Sequence, residues 1–566
     1  MQSRFNTSKA IFPVNQQGRT RHGLRQLAPP LRLVALALVA GLGLGACSSK
    51  SDLPKGTLGF VEGFLGGVVA DEPRAALVGR DILSAGGSAS DAATAMYMTL
   101  AVTLPSRAGL GGGGMCLVFD VTTGKTQALD FTAPASGTAA YGADRPSAIP
   151  ASPRGAFALH ARLGRLPWAE VVAPAEKLAR FGYTVSRAFG NDLTAVGPAL
   201  LADNGARAMF GTTSGALAHE GEKVEALDLA ATLGLIRARG VGPFYNGPYA
   251  NNLVAAVQGA GGSLTIKELR AYTPKWRDTV RVQVGDEVAH FAPPPAAAST
   301  QAGVMFAMLQ EDGTLGRGDT ASQAQVLAET ALRSFADRET WLSPIGEATQ
   351  QAAGLTAPAR IDALLQGMRP DRRSALTNFA KPPKNRHETP SATAFSAVDP
   401  QGNAVSCAVT MNAAFGTGRV ASGSGILLAA APGVGGRGPT GLAPMLLVNE
   451  NSKEFRYAAG ATGGVAASTA LAQVSARVLL GGETVESAVA APRVHLSGDP
   501  DVTYIEPGLD AGAQAKLASA GHRTAATPVI GLVNAIACLD GLPHKPGTCQ
   551  MAVDPRGQGL AAGTMR

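Results

Sequence analysis

The chain has 566 residues, of which 45% are hydrophobic, 16% are charged and 5% are aromatic. This apolar content is enough for a buried core and excludes disorder for most of the chain. The formal charge is +7, but residues 1–46 contain six basic residues and no acidic one, so the rest of the chain is almost neutral. We therefore expect no nucleic-acid partner.

The first 46 residues have the composition of an export signal. A basic stretch precedes an apolar run from Leu33 to Gly45, which is shorter than the roughly 20 residues that span a bilayer and is typical of a signal-peptide core. The sequence Leu44-Gly45-Ala46-Cys47 resembles a bacterial lipobox. We therefore predict a signal peptide with a lipobox over 1–46 and a lipid on Cys47 that anchors the protein to a membrane.

The residues after Cys47 bear on the location of the protein. Two serines follow the cysteine, and no aspartate that would favour the inner membrane stands there. We expect a periplasm-facing, lipid-anchored protein of the bacterial cell envelope, at the outer membrane. An ordinary secretory signal that contains a cysteine is the alternative.

From Gly59 onward, short apolar strands alternate with longer amphipathic helices. Ser88 and Asp91 have the spacing of a helix-capping box, and Pro400–Asn403 has the composition of a hairpin turn. The apolar spacing predicts helices over Ala92–Leu104, Trp168–Phe181, Leu227–Arg239, Asn252–Ala260, Gln323–Arg338, Ala466–Leu480 and Glu483–Ala490. It predicts strands over Met115–Asp120, Thr393–Asp399, Ala404–Met411, Pro444–Val448 and Phe455–Ala459.

A change in composition divides the chain. The stretch of about 378–392 is charged, contains proline and has few apolar residues, which predicts an exposed linker and a natural cleavage region. It separates a helix-rich region, 47–391, from a strand-led region, 392–566. That order predicts a layered α+β sandwich.

The four cysteines beyond Cys47 show no metal-ligand spacing, and the eight histidines form no cluster with them, so we expect no metal site. Cys538 and Cys549 enclose a short loop with glycine and proline, which favours a disulfide in an oxidising compartment. Cys116 and Cys407 lie in apolar strand-like runs, so we expect them to be buried small residues.

Short motifs occur in a fixed order along residues 58–566. They are Gly86–Ala93, Gly109–Gly114, Tyr245–Gly247, Leu264-Thr265, Ala271–Arg277, Pro293–Pro295, Phe335–Arg338, Asp399–Val405, Met411-Asn412, Phe415–Gly418, Gly463-Gly464 and Ala491–Arg493. In this order they resemble the γ-glutamyltransferase (γ-glutamyltranspeptidase, or glutathione hydrolase) family, with 47–391 similar to its large subunit and 392–566 to its small subunit.

The resemblance implies an N-terminal-nucleophile hydrolase fold, a four-layer αββα sandwich. In such enzymes one precursor cuts itself at a threonine that opens the small subunit, and the new α-amine of this threonine is the base for its own hydroxyl. The resemblance places the two amides that hold the oxyanion at Gly463 and Gly464, and it places Asn412 in the substrate pocket. Because the base is the chain's own amine, no metal or organic cofactor is implied.

The start of the small-subunit-like region departs from the family pattern. Counted back from Asp399 without gaps, the nucleophile position holds Ala392, which has no hydroxyl. A one-residue shift at the free start of a strand would make Thr393 the nucleophile, and this is our prediction. Ser391 and the loss of any nucleophile are the alternatives, because a shift by one residue turns a side chain to the other face of a strand.

Two charged groups that bind a glutamyl head group in relatives have no counterpart in this chain. Where relatives carry an arginine after Asp-Phe, the chain has Thr132, and where they carry an acid it has Ala429–Pro432. Arg107 is a candidate replacement for the carboxylate-binding arginine, and Thr440 aligns with a substrate-binding serine. The losses put ordinary γ-glutamyl specificity in doubt.

The sequence thus predicts a self-processed amidohydrolase or acyltransferase. Its substrate would be a small-molecule amide or peptide, either γ-glutamyl (glutathione-like) or related, cleaved through a threonine-linked acyl-enzyme. The alternative is a catalytically inactive relative that acts as an envelope-anchored binding or scaffold lipoprotein.

Overall fold

The computed structural model describes residues 63–137, 143–212, 214–343, 346–384, 391–433 and 438–565. All of them belong to one compact unit, Val61–Arg566. The predicted signal peptide and Cys47 lie outside the described residues, as do 385–390 of the predicted linker. No helix in the described ranges is both long and apolar enough to cross a membrane.

The α-helices are numbered here in chain order. They are α1 Pro73–Ser84, α2 Ala89–Thr103, α3 Pro105–Ala108, α4 Ser152–Leu163, α5 Trp168–Phe181, α6 Arg187–Val196, α7 Asn204–Phe210, α8 Leu227–Arg239, α9 Gly242–Tyr245, α10 Gly247–Gly259, α11 Ile266–Ala271, α12 Ala297–Asp312, α13 Thr314–Arg317, α14 Thr320–Trp341, α15 Pro358–Leu365, α16 Ala467–Leu479, α17 Val485–Ala490 and α18 Ala511–Ser519.

The strands follow the same convention. They are β1 Phe64–Ala70, β2 Gly113–Asp120, β3 Lys125–Phe131, β4 Tyr183–Thr184, β5 Lys223–Val224, β6 Lys275–Arg277, β7 Val280–Val284, β8 Glu287–Phe291, β9 Ala392–Val398, β10 Ala404–Thr410, β11 Val420–Ala421, β12 Ile426–Leu427, β13 Ala443–Asn449, β14 Glu454–Thr462, β15 Val494–His495, β16 Thr503–Ile505, β17 Thr524–Ala526, β18 Leu532–Leu542, β19 Gln550–Ala552 and β20 Leu560–Met565.

Two large sheets form the centre of the molecule. The first has the strand order β20-β1-β9-β10-β2-β3-β6 and the second has the order β19-β18-β14-β13-β8-β7. In the first sheet, strands from before and after the predicted linker alternate: β9 and β10 lie between β1 and β2. The two regions are therefore parts of one sheet and not separate folding units.

Apolar clusters define the layers. One cluster lies between the sheets and joins Met115 and Ala408 of the first sheet to Leu446 and Ile536 of the second. A second cluster packs helices such as α2, α5 and α8 on the outer face of the first sheet. A third packs α12, α14, α16 and α17 on the outer face of the second sheet. Helices therefore cover both sheets, and the predicted four-layer αββα arrangement of an α+β protein is confirmed.

The local signals in the sequence predict many elements closely. Ser88 and Asp91 form the predicted capping box at the start of α2, and α5 and α8 have the predicted bounds. The hairpin of β9 and β10 forms around Pro400–Asn403. The predicted linker ends earlier than expected, since Ser391 is buried and Ala392 is already in β9.

Two disulfides lie within the described part of the chain. Cys538 and Cys549 are bonded, as their spacing predicts. Cys116 and Cys407 are buried as expected, but they are also bonded to each other, so the prediction of two simple buried residues was incomplete. They face each other in the register of β2 and β10, a proximity that the sequence separation of 291 residues conceals.

Candidate active site

The strand pair β9 and β10 positions the start of the small-subunit-like region. Ala392 pairs with Thr410, and Ala394 pairs with Ala408. Successive side chains of a strand point to opposite faces. Ala392 belongs to the cluster between the sheets, whereas Phe395 belongs to the cluster under the helices. Position 392 therefore faces the space between the sheets, and position 393 faces the helical layer.

A pair of hydroxyl groups lies where β9 begins and β10 ends. The Oγ of Ser391 is 3.4 Å from the Oγ1 of Thr410. The hydroxyl of Thr410 donates to the carbonyl oxygen of Ser391 at 3.1 Å and accepts the amide N–H of Asn412 at 2.9 Å. Ser391 precedes the first residue of β9, so the alternation of faces along the strand does not fix where its side chain points. Its hydroxyl points towards the side chain of Thr410.

Asn412 has a strained backbone and a partly satisfied side chain. Its φ is +61°, a conformation in which asparagine is tolerated better than most residues. Its Nδ2 donates to the carbonyl oxygens of Ala133 and Ala430 at 3.2 and 2.9 Å. Its Oδ1 is buried and has no hydrogen-bond partner among the described residues. An unpaired buried acceptor costs about 1–3 kcal/mol, so this atom is suited to receive a donor from a ligand.

Gly463 and Gly464 form a tight turn between β14 and α16. Their φ values are +132° and +61°, and a short 3-10 helix, Gly464–Ala466, leads directly into α16. The first amides of a helix have no acceptor within the helix, and they lie at the positive end of its dipole. Two such N–H groups can stabilise an oxyanion, which is the role predicted for this pair.

Neighbouring residues fix the glycine turn from two sides. A Cβ atom at Gly463 would lie 2.6 Å from the Cα of Gly531. Arg493, which is buried, donates to the carbonyl oxygens of Ile530 and Gly531 at 3.2 and 2.8 Å and to Asp554 at 2.6 Å. On the other side, a Cβ at Gly441 would lie 3.4 Å from the Cα of Gly464. Arg493 is therefore a positioning residue for the turn.

Thr393, the predicted nucleophile, has a different environment. Its hydroxyl donates to the Oδ2 of Asp71 at 2.9 Å, and the same oxygen accepts the N–H of Ala394 at 3.0 Å. The Oδ1 of Asp71 accepts the Nδ2 of Asn534 at 2.6 Å. Thr393 is fully buried. The carboxylate of Asp71, which directly follows β1, therefore links Thr393 in β9 to Asn534 in β18. The structure does not place the Thr393 hydroxyl with the Ser391–Thr410 pair.

The two predicted substrate contacts also differ in placement. The guanidinium of Arg107 makes two hydrogen bonds to Asp192, from Nε at 2.8 Å and from Nη2 at 2.6 Å. This paired geometry occupies the fork that would otherwise bind a substrate carboxylate. Thr440 lies in the 3-10 turn Pro439–Gly441 and is half-buried, beside the glycine pair.

The described residues next to Asn412 include Thr132, Ala133, Ala430 and Ala431, and the charges close to them are already paired. Thr132, which stands where relatives have an arginine, donates its hydroxyl to Asp130 at 2.7 Å, and Arg277 donates to the other carboxylate oxygen of Asp130 at 2.8 Å. Ala430 and Ala431 are buried. Among the described residues, no group of three or more His, Cys, Asp and Glu side chains could hold a metal ion.

An αββα sandwich with a hydroxyl at the start of a central strand and a preorganised pair of glycine amides defines the class of N-terminal-nucleophile hydrolases. The family model described as "Gamma-glutamyltranspeptidase" matches residues 75–564. The chain belongs to the γ-glutamyltranspeptidase family.

Individual relatives agree with this assignment. The chain is 32% identical over 474 residues to the glutathione hydrolase proenzyme of Pseudomonas aeruginosa, covering 76% of this chain and 82% of the relative. It is 28% identical over 532 residues to the glutathione hydrolase proenzyme of Escherichia coli, covering 87% and 90%. A crystal structure of cephalosporin acylase from Bacillus halodurans has a TM-score of 0.73 at 22% identity, covering 90% of this chain and 98% of that one, which shows the shared fold.

Two residues of the site had no sequence signal. Thr410 is an ordinary threonine at the end of a predicted strand, and only the register with β9 brings it to Ser391. Asp71 meets Thr393 across 322 residues. The alternation of faces along β9 indicated from the sequence that positions 392 and 393 differ, but the sequence does not say which face the second sheet covers.

Proposed function

We propose that this chain is a self-processing amidohydrolase and acyltransferase that cleaves γ-glutamyl or related small amides, with Ser391 as the nucleophile. The proposal is supported by membership of the family and by the relatives, which are named as glutathione hydrolase proenzymes. The observation that carries it is the Ser391–Thr410 hydroxyl pair, which adjoins Asn412 at the start of β9.

The first chemical step is the cut. The Oγ of Ser391 attacks the carbonyl carbon of residue 390, the C–N bond to Ser391 breaks, and the departing nitrogen takes up the hydroxyl proton. Water then hydrolyses the resulting ester, which leaves a large and a small subunit and a free α-amine on Ser391. This amine lies next to its own hydroxyl and serves as the base that a weak nucleophile needs.

The second step is amide cleavage. The Ser391 hydroxyl, deprotonated by the α-amine, attacks the substrate carbonyl, and the N–H groups of Gly463 and Gly464 stabilise the oxyanion. The amine returns the proton to the leaving nitrogen, and an acyl ester remains on Ser391. Water or an amine acceptor then releases the acyl group and regenerates the enzyme.

Paired substitutions test this assignment against the sequence prediction. We expect S391A to abolish both the cut and the hydrolysis of γ-glutamyl-p-nitroanilide and of uncharged acyl anilides. We expect T393V, which removes only a hydroxyl, to retain both, with lower stability. A reducing denaturing gel and N-terminal sequencing of the small fragment provide the readout.

The outcomes separate the alternatives. If T393V stays uncut while S391A is processed, then Thr393 is the nucleophile and the Ser391 assignment fails. If wild-type protein is one uncut chain without amidase activity, the enzymatic proposal fails, and the binding or scaffold lipoprotein becomes the better description.

The location is a separate proposal. We propose export to the periplasm and lipid anchoring to the outer membrane through Cys47, supported by the leader sequence. Two disulfides in the described chain suit an oxidising compartment. A C47S variant that still fractionates with outer membranes would contradict the anchor, whereas release into the soluble periplasmic fraction would support it.

A further inference from the structure

A cavity lies beside the glycine turn. It has a volume of about 250 Å³, and its lining includes Val465, Ala466, His495, Tyr504 and Ile530. Val465 and Ala466 directly follow the glycine pair, and Ile530 precedes Gly531, which packs against Gly463. Gly441 packs against the turn at Gly464. The N–H of Gly438, three residues before Gly441, donates to the carbonyl oxygen of Asn412 at 3.2 Å. The turn therefore adjoins both the segment that is bonded to Asn412 and the lining of this cavity.

His495 brings an available polar atom to the cavity. The side chain is 5% exposed, and its Nδ1 is 3.0 Å from the hydroxyl oxygen of Thr469. The ring meets Phe335 edge to face with centroids 5.5 Å apart and lies near Tyr504 at 6.4 Å. No residue in the described ranges hydrogen-bonds its Nε2. Burial lowers the pKa of His495 to about 4, so the imidazole is neutral at pH 7.

The other walls indicate what the cavity can hold. Most of the remaining lining is apolar, and Tyr504 adds an aromatic ring. The apolar residues are Val465, Ala466, Pro500, Val529 and Ile530, and the polar ones are Lys384, Ser497, Asp499 and Thr527. A ligand with an apolar or aromatic side chain would bury this surface. A polar atom on the same ligand would form a hydrogen bond with the Nε2 of His495, which no described residue occupies.

We propose that this cavity receives the amine half of the amide substrate, and that it selects amines with an apolar or aromatic side chain through packing and a hydrogen bond to His495. The proposal rests on the proposed amidase function. An amide whose carbonyl oxygen lies on the glycine pair has an acyl half and an amine half. The residues that directly follow the glycine pair line this cavity, so one of the two halves can enter it.

The test compares amides that share one acyl group and differ only in the amine. We expect kcat/KM to rise about tenfold or more from glycinamide to phenylalaninamide derivatives, since the apolar side chain adds buried area. We expect H495F to lower kcat/KM for the phenylalaninamide derivative about tenfold, mainly through KM, because one hydrogen bond is lost. Hydrolysis of the acyl-enzyme by water should not change.

A matched control is available in His522. It is also buried, and its Nδ1 also pairs with a threonine, but its Nε2 is 3.0 Å from Gln325, and it does not line the cavity. H522Q should keep the amine preference. Equal losses in H495F and H522Q, or equal rates for the two amines, would overturn the proposal.

A binding measurement separates this proposal from the catalytic one. Calorimetric titration of wild type and H495F with free phenylalaninamide needs no turnover. Binding that H495F weakens, in protein that is inactive, would support the cavity and contradict the amidase function. Absence of binding in an active enzyme would reject the cavity proposal alone.

The disulfide across the predicted cut carries a second, independent inference. Cys116 in β2 precedes Ser391 in the sequence, and Cys407 in β10 follows it. The two cysteines are directly paired in the sheet and bonded to each other. Both are at most 1% exposed. Cys538 and Cys549, by contrast, both follow the cut. We infer that the processed protein is a covalent heterodimer, in which Cys116–Cys407 ties the small subunit to the large one.

This second inference also rests on the cut before β9, and gels test it. Wild type should run as one band without reductant and as two with it, whereas C116S/C407S should run as two bands in both cases. C538S/C549S is the matched control and should behave as wild type. Separation of wild-type subunits without reductant would overturn the inference.

A chain that does not cut itself still permits the test. A protease site inserted within 385–390 allows cleavage after purification, and the same comparison with and without reductant then reports on the bond. An uncut wild type would reject self-processing, while the protease-cut lanes would decide on the covalent link.

Discussion

The conformation of a single glycine shapes the turn that we propose as the oxyanion site. Gly463 has φ +132°, a region that is costly for any residue with a side chain. The added methyl group would also lie 2.6 Å from the Cα of Gly531, a backbone atom that Arg493 helps to hold through the Gly531 carbonyl. Neither partner can move without disturbing the turn, so the position tolerates glycine alone.

We therefore expect G463A to lower kcat for amide hydrolysis by about 10²–10³, the loss typical of removing one oxyanion donor. The KM should change less, since the ground-state substrate depends less on this contact. Stopped-flow or steady-state kinetics on processed protein measures the effect. G482A is a control, because Gly482 also has a positive φ but has open space around it. Equal kinetic losses in both variants would contradict the assignment.

Two buried histidines, His495 and His522, make the free energy of unfolding depend on pH. Burial lowers the pKa of His522 to about 4 and that of His495 to about 4, whereas the unfolded chain titrates near 6.5. Below pH 6.5 the unfolded state therefore binds more protons than the folded state, and the free energy of unfolding falls as the pH falls towards 4.

For His522 this linkage predicts a loss of about 2 kcal/mol between pH 7.5 and pH 5. Replacing it by glutamine should reduce the acid-induced loss by that amount, although H522Q will start from a lower stability. Urea titrations of S391A and of S391A/H522Q at the two pH values measure the difference. Parallel pH profiles for the two proteins would mean that folding does not lower the pKa of His522, and would contradict the prediction.

Among the secondary-structure elements, those with strong local signals were predictable. The capping box fixes the start of α2, and amphipathic spacing fixes α5 and α8. The strand pair β9–β10 was predictable from alternation and a turn. Its partners β1 and β2 were not, because they come from positions some 300 residues earlier. The Cys116–Cys407 disulfide depends on the pairing of β2 with β10, and the Asp71–Thr393 contact depends on the pairing of β1 with β9. Local sequence patterns therefore could not predict either of them.

The two disulfides should stabilise the uncut chain to different degrees. Cys116–Cys407 closes a sequence separation of 291 residues and Cys538–Cys549 closes one of 11. Chain entropy predicts contributions of about 6 and about 3 kcal/mol respectively, because a longer loop loses more freedom when it is closed. We expect S391A/C116S/C407S to be less stable than S391A/C538S/C549S in oxidised urea titrations. The reverse order would mean that strain or denatured-state structure dominates.

For the complete fold, the composition and the order of motifs predicted the layers, since helix-rich and strand-led segments must bury their apolar faces against each other. The position of the nucleophile was not predictable to one residue. Ser391 and Thr393 both carry a hydroxyl, and which of them reaches the site depends on where β9 begins and on which face of the first sheet the second sheet covers.

The interleaved first sheet makes folding depend on chain continuity. β9 and β10 insert between β1 and β2, so a processed protein must assemble this sheet from two chains. The Cys116–Cys407 bond keeps those chains together. Without it, refolding becomes a bimolecular reaction that pays an association cost, and its transient unpaired strand edges favour aggregation.

We therefore expect processed protein that is unfolded and reduced to refold with a yield and rate that rise with protein concentration at low concentration. The same protein unfolded with its disulfides intact should refold at a rate independent of concentration, as should uncut S391A in either redox state. Dilution from urea at several concentrations, followed by far-UV circular dichroism and recovered amidase activity, measures this. Concentration-independent refolding of the reduced, processed protein would contradict the view that both subunits share one cooperative sheet.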